Sequence, residues 1–233
     1  MSSPNFDIET SELATAINQR LSGAGSQIAS SIYSAAIPIL SWINYLHTSE
    51  LTGHCDEFLD GLRASIVETI GCGASGLVRP SIYSMRTQID IILSWLYFKD
   101  HPVEWTKVED TGEGFVLKRD ALEYLKSNIR HFEARLAALT AKRTRQLQDP
   151  YKILSAHVHA QGLSVLPNHG KLMTLIGTPQ VCSELAPMQV EVAEYIGDVL
   201  LSCFGPKWAS LPEPLVTAAK ARLEEKQISV VFS

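Results

Sequence analysis

The sequence predicts a mainly α-helical protein: a bundle of about seven or eight helices, with a small β-hairpin or extended insert near 103–117. Three observations favour this class. Apolar residues recur mostly at intervals of three and four, which is the helical period. Helix boundaries are marked by proline and glycine, as at Asp149-Pro150 and Gly205-Pro206. The chain of 233 residues is 45% hydrophobic and 19% charged, which excludes a disordered or fibrous protein.

The helical pattern divides into eight segments. They lie near residues 8–21, 28–47, 50–70, 80–98, 118–146, 150–161, 184–204 and 213–227. Pro38 is expected to kink or divide the second segment, because proline removes a helical hydrogen bond. The glycine-rich stretch 71–76 follows the third segment, so it indicates an interhelical loop and not a nucleotide-binding turn.

Three stretches depart from the helical pattern. Residues 103–117 place the turn-forming Asp110–Gly114 between two short β-prone runs, which predicts a hairpin or an ordered loop. Residues 162–183 are rich in glycine and proline, which indicates a long connection that is functional or mobile. The β-branched ending ISVVFS predicts an edge strand or an extended tail.

The length suits one helical domain over 1–233, or the same domain with the N-terminal helices 1–48 as an appended lobe. Four cysteines without a CxxC pair indicate reduced thiols and not a zinc site. The beginning lacks the basic start and apolar run of a signal peptide, and no apolar stretch is long enough to span a membrane. We therefore expect a soluble, cytoplasmic protein with no membrane contact. The standard nucleotide and metal motifs are absent, so we expect no cofactor and no metal.

The segment 80–98 predicts a central helix that carries a polar ridge. Its apolar residues would face several neighbours, whereas Arg86 and Asp90 lie four residues apart and share one face. Charged groups on an apolar helix are costly to bury unless they are paired. They therefore indicate either a structural ion pair or part of a cleft.

The segment DPYKILSAHVHAQG supplies a second candidate group. On a helix over 150–161, Ser155 and His159 are neighbours, and a histidine near a helix C-terminus is favoured in its protonated form. His159 is therefore a candidate general acid or phosphate contact, or else a capping residue. His157 and His159 could share a metal only on a strand, which the helix boundaries disfavour.

Residues 118–146 concentrate positive charge. They contain eight basic and three acidic residues, a net charge of +5 within a chain of −5, so the remainder carries −10. This segregation indicates either a solvated helix face or a surface that binds phosphates. The candidate nucleic-acid contacts are Arg130, Arg135, Lys142, Arg143 and Arg145, which we expect to point outward.

Roughly residues 50–165 resemble the pattern of helical families in the HEPN superfamily. The resemblance is carried by a helix with Arg86 and Asp90, a long following helix and then Tyr151–His159. The resemblance implies a helical bundle that often dimerises, and active members are metal-independent ribonucleases of toxin and antiviral defence systems. Their usual motif, an arginine followed four to six residues later by a histidine, is absent here. By this resemblance Arg86 and His159 would act from two helices, with Ser155 and Asp90 orienting them.

Three functions follow as hypotheses. The first is a HEPN-like protein, a homodimer that binds or cleaves RNA or another nucleic acid. The alternative is a non-catalytic helical module that self-associates and binds a protein partner. A third hypothesis is a metal enzyme using His157 and His159. A catalytic site requires Arg86, Asp90 and His159 to meet in an open cleft, whereas an interaction module would close the first two as a pair and expose apolar surface.

Overall fold

The computed structural model describes residues 5–166 and 170–233, in which helices and turns occur and strands do not. The predicted mainly helical class is confirmed, and the described residues form more helices than the seven or eight expected. Pro167 and Asn168, part of the turn-rich segment 162–183, lie outside the described residues. The α-helices are α1 (Phe6–Arg20), α2 (Ser26–Ser49), α3 (Glu57–Ser75), α4 (Val78–Phe98), α5 (Pro102–Thr111), α6 (Lys118–Asn128), α7 (Phe132–Ala141), α8 (Pro150–Val158), α9 (Pro179–Ser183), α10 (Leu185–Phe204), α11 (Glu213–Arg222) and α12 (Glu225–Val231).

The core is formed by α2, α3, α4 and α10, which pack on one another. The prediction of a central α4 is confirmed, since its apolar side chains are buried on several sides. These are Ile82, Met85, Ile89, Ile92, Leu93 and Leu96. A reciprocal pair of amides crosses this core: Gln88 Nε2 donates to Gln189 Oε1 at 3.1 Å, and Gln189 Nε2 donates to Gln88 Oε1 at 2.8 Å.

The first two helices form one continuous run. A π-helical segment, Leu21–Gly25, joins α1 to α2 without a break. Of the two expectations for Pro38, division is wrong, because α2 continues through it, and buried residues such as Ala36 and Ile39 hold both sides of it against the core. α1 itself buries no residue and packs on the 3₁₀ turn Leu172–Leu175.

The hairpin predicted for residues 103–117 is wrong, because most of this stretch is the helix α5. Pro102 stands at its first turn, and Gly112 ends it with a left-handed φ of +69°. The Trp105 ring lies 4.8 Å from the Phe58 ring and 5.4 Å from the Phe98 ring, centroid to centroid. This aromatic packing overrides the weak β-preference of the local sequence.

Residues 118–146 also differ from the single long helix expected. α6 ends at Asn128, and α7 starts after His131, whose φ of 61° breaks the helical path. The chain leaves the helix again after Ala141. The ending predicted as a strand or extended tail is instead α12, which begins at a capping box formed by Glu224 and Gln227.

All four cysteines carry free thiols. Among the helices of the described chain, none combines the length and the apolar character that a membrane crossing requires.

Candidate functional site

The predicted polar ridge on α4 forms the contact between α4 and α8. Arg86 Nη1 pairs with Asp90 Oδ2 at 3.0 Å, Arg86 Nε donates to Ser155 Oγ at 3.2 Å, and Arg86 Nη2 donates to Tyr151 Oη at 2.6 Å. Two turns earlier on α4, Arg79 Nη2 donates to the His157 carbonyl oxygen at 2.7 Å. The ridge therefore attaches α8 to α4 along its length.

Arg86 and Asp90 form an ion pair that is mostly shielded from solvent. The side chains of Arg86 and Asp90 are only 24% and 33% exposed. Burial raises the pKa of Asp90, while the Arg86 guanidinium opposes the rise. Burial, followed by the charge of Asp90, raises the pKa of Tyr151, so its phenol stays protonated at neutral pH. A phenol with a raised pKa is a poor general base.

Lys118 extends the cluster toward α10. Its Nζ lies 2.6 Å from both carboxylate oxygens of Asp149. The same ammonium lies 4.7 Å from the centre of the Tyr151 ring and 5.1 Å from that of Tyr195, which are cation–π distances. Each charge in this region thus already has a partner within the protein.

His159 does not join Arg86. It is exposed at the C-cap of α8, and its backbone N–H donates to the Ser155 carbonyl at 2.9 Å. Within the described chain, its imidazole makes no hydrogen bond or ion pair with Arg86, Asp90 or Ser155. Of the four candidate catalytic residues, the structure therefore brings three together and leaves the histidine apart.

His157 is half-buried, and its pKa is lowered by burial and then by the nearby charge of Arg79. In the ranges that the structure describes, no group of three or more His, Cys, Asp or Glu side chains is arranged to hold a metal ion.

The candidate nucleic-acid contacts do not form one outward row. Arg135 is 4% exposed and donates to the carbonyls of Arg130 at 2.9 Å and Ser202 at 3.3 Å. Arg145 is equally buried and pairs with Glu194 and Asp198 of α10. For these two residues the outward orientation is wrong, because the break at His131 and the end of α7 redirect the chain over α10.

The other three members are more accessible. Lys142 is half-buried and pairs with Glu224, whereas Arg130 and Arg143 are exposed. Arg130 Nε donates to His131 Nε2 at 3.0 Å, and Arg143 Nη1 donates to the Thr140 carbonyl at 3.1 Å. No continuous basic surface results from these five residues, and whether they bind a nucleic acid stays a prediction.

A groove that the sequence did not suggest lies between α2, α10 and α11. Its volume is about 520 Å³. Small residues keep it open, among them Ala35 of α2, Gly197 of α10 and Ala218 of α11. Ile37 and Val190, each 47% exposed, stand on its walls. The α2–α10–α11 groove is therefore a concave, mainly apolar surface.

A buried ion network borders this groove through Glu194 and Arg222, which line it. Arg222 Nη1 lies 2.9 Å from Glu194 Oε1, and Arg222 Nη2 pairs with Asp198. Arg145 Nη1 lies 3.2 Å from the same Glu194 oxygen and also pairs with Asp198. Burial opposes ionisation of Glu194, but hydrogen bonds from Thr144 and the two arginines lower its pKa overall. Two cations thus balance two anions beside the groove.

Sequence reasoning missed the groove because its walls come from three helices that are distant along the chain. The sequence feature that could have indicated the groove is the set of small residues on α11, Ala218, Ala219 and Ala221. They face Gly197 on α10, a helix whose other residues are mostly large. A glycine within a helical pattern usually marks a packing or access requirement. Comparison with protein-family models, with curated proteins and with solved structures found no match.

Proposed function

We propose that this protein is a non-catalytic helical binding module that holds a small apolar molecule in the α2–α10–α11 groove. The observation that carries the proposal is the groove itself. Its volume of about 520 Å³ lies within the range of roughly 300–1,000 Å³ typical of small-molecule sites. Apolar walls with few polar groups are also typical of such sites.

The state of Arg86 supports binding over catalysis. Asp90, Ser155 and Tyr151 all contact its guanidinium, so releasing it toward a phosphate would break three interactions. The ribonuclease hypothesis, with an RNA partner and a homodimer, rests on the resemblance and on the positive charge of residues 118–146, and it stays a prediction. Nuclease activity that survives Arg86→Ala combined with His159→Ala would remove this candidate site.

The groove is tested with prodan, a neutral naphthyl ketone whose emission shifts to the blue in apolar surroundings. We expect saturable binding to the whole chain. Ala218→Leu should weaken it at least tenfold, because Ala218 is exposed on the groove wall and leucine would fill the space. Thr217→Leu is the matched control: Thr217 is the exposed neighbour on α11 and does not line the groove.

A second pair of variants, outside α11, shows whether a loss of prodan binding comes from filling the groove or from misfolding of α11. Gly197→Leu fills the groove from α10, whereas Gly71→Leu adds the same side chain to α3 where a Cβ meets nothing within 4 Å. Urea unfolding shows that each variant is folded. Equal prodan affinity in the groove variants and their controls, or no saturable binding by the unmodified chain, would contradict the proposal.

A further inference from the structure

We infer that the molecule held in the α2–α10–α11 groove is uncharged and carries an oxygen acceptor that binds the indole N–H of Trp42. This inference rests on the proposed function and specifies its ligand. Trp42 is only 1% exposed and lines the groove. Its Nε1 lies 3.8 Å from the position that a Cβ on Gly197 would occupy, so the N–H end of the ring lies at the groove floor beside the glycine.

The Trp42 N–H has no acceptor among the described residues. Trp95, which is also fully buried, shows the usual arrangement, because its Nε1 donates to Asp56 Oδ1 at 3.2 Å. Indole N–H groups normally find a partner, and a donor that the protein covers except toward a groove can exchange water there for a ligand oxygen. Trp105 Nε1 is unpaired too, but it is fully enclosed beside the Phe58 and Phe98 rings. At Trp42, by contrast, a side chain that is only 1% exposed brings an indole N–H without a protein acceptor to the groove.

Gly197 keeps this donor accessible. Glycine in the middle of a helix is unfavourable relative to alanine, so its presence within α10 has a cost to the fold. A Cβ at this position would be in ordinary van der Waals contact with the indole nitrogen. Any longer side chain would cover the N–H and occupy the floor.

The charge balance of the wall excludes an ionic ligand. Glu194 already accepts hydrogen bonds from the Thr144 backbone at 2.8 Å and from Arg145 and Arg222. Arg222 is likewise held by Glu194 and Asp198. Since two arginines and two carboxylates neutralise one another, a charged ligand would lose its hydration without gaining a counter-ion. A neutral ketone, ester or ether meets the requirement.

The test compares two competitors that differ in one carbonyl, 2-acetylnaphthalene and 2-ethylnaphthalene, by displacement of prodan. We expect the ketone to bind the unmodified chain about tenfold more tightly. The anion 2-naphthoate should bind more weakly than the ketone. Equal affinities of ketone and hydrocarbon, with prodan still bound, would overturn the acceptor and leave the groove intact. Naphthoate binding as tight as that of the ketone would overturn the neutral ligand.

Variants then assign the donor. Trp42→Phe removes the N–H and should bring the two competitors within about twofold of each other. Because Trp42 also packs in the core, a second pair keeps the test independent of its folding. Gly197→Val covers Nε1 with apolar carbon and should remove the ketone preference, while Gly197→Ala adds only the Cβ and should keep it. A ketone preference unchanged in Trp42→Phe or in Gly197→Val would refute the role of Trp42.

Discussion

Replacing Gln88 with leucine should destabilise the fold, because it leaves the Gln189 amide unpaired in the core. Both side chains are fully buried, and each donates to the other at 3.1 Å or less. A buried polar group without a partner costs roughly 1–3 kcal/mol, and Gln189 would lose one donor and one acceptor contact. Gln88 Nε2 also donates to Thr69 Oγ1 at 3.0 Å, but without Gln88 the Thr69 hydroxyl still donates to the Ser65 carbonyl at 2.8 Å. After the apolar gain of leucine, we expect a net loss of about 2–4 kcal/mol.

The double variant separates this mechanism from a packing defect. With Gln88→Leu and Gln189→Leu together no amide is left unpaired, so stability should return to within about 1 kcal/mol of the unmodified protein. Urea unfolding of the four proteins, with free energies extrapolated to water, gives the coupling energy of the pair. If the two single losses simply add in the double variant, the unpaired-amide reasoning is wrong.

Three further substitutions should change the stability of the fold in a direction that the structure predicts. Asp56 accepts hydrogen bonds from Thr52, Gly53 and Trp95, and these bonds lower its pKa despite burial. The contribution of Asp56 to the free energy of unfolding is therefore complete above the unfolded-state pKa of about 4. It is lost as the pH falls through the lower pKa of the folded state. Asp56→Asn should flatten the acid limb of a plot of unfolding free energy against pH, and an unchanged limb would contradict this assignment. Asp198→Ala should cost about 3–5 kcal/mol in urea unfolding, since it leaves two arginines facing an empty buried position; a loss below about 1 kcal/mol would show that the network contributes little. Gly205→Ala should lower the melting temperature sharply, because its Cβ would lie 2.1 Å from the Val231 carbonyl oxygen, whereas Gly71→Ala, with open space around it, should raise or preserve it.

The parts of the fold that could be predicted are those with a local physical cause. The apolar spacing in α4 identified its buried face, and Asp149-Pro150 marked the start of α8. The capping box of Glu224 and Gln227 is also visible in the sequence, although the β-branched ending obscured it. The break at His131 could not be predicted, because a left-handed φ at a non-glycine residue depends on the tertiary contacts on each side.

The candidate sites were harder to predict for a related reason. The spacing of Arg86 and Asp90 placed them on one face and left an ion pair and a cleft as alternatives. The ion pair forms, and the spacing could not show that Tyr151 and Ser155 complete the contact. Arg135 looked like a surface cation, since only the three-dimensional path of the chain buries it. Burial of a charged residue depends on partners distant in sequence, and a single sequence does not contain that information.

The weak attachment of α1 has a consequence for how the molecule opens. This helix buries no residue. Beyond its continuation into α2, its side-chain hydrogen bonds to later described residues are one that Glu9 accepts from the Leu172 N–H at 3.1 Å and one that Arg20 donates to the Gly177 carbonyl. Releasing α1 exposes little apolar surface, so this opening needs far less free energy than global unfolding. Its amide protons should therefore exchange with deuterium well before those of α4, whose protection reports the stability of the whole fold.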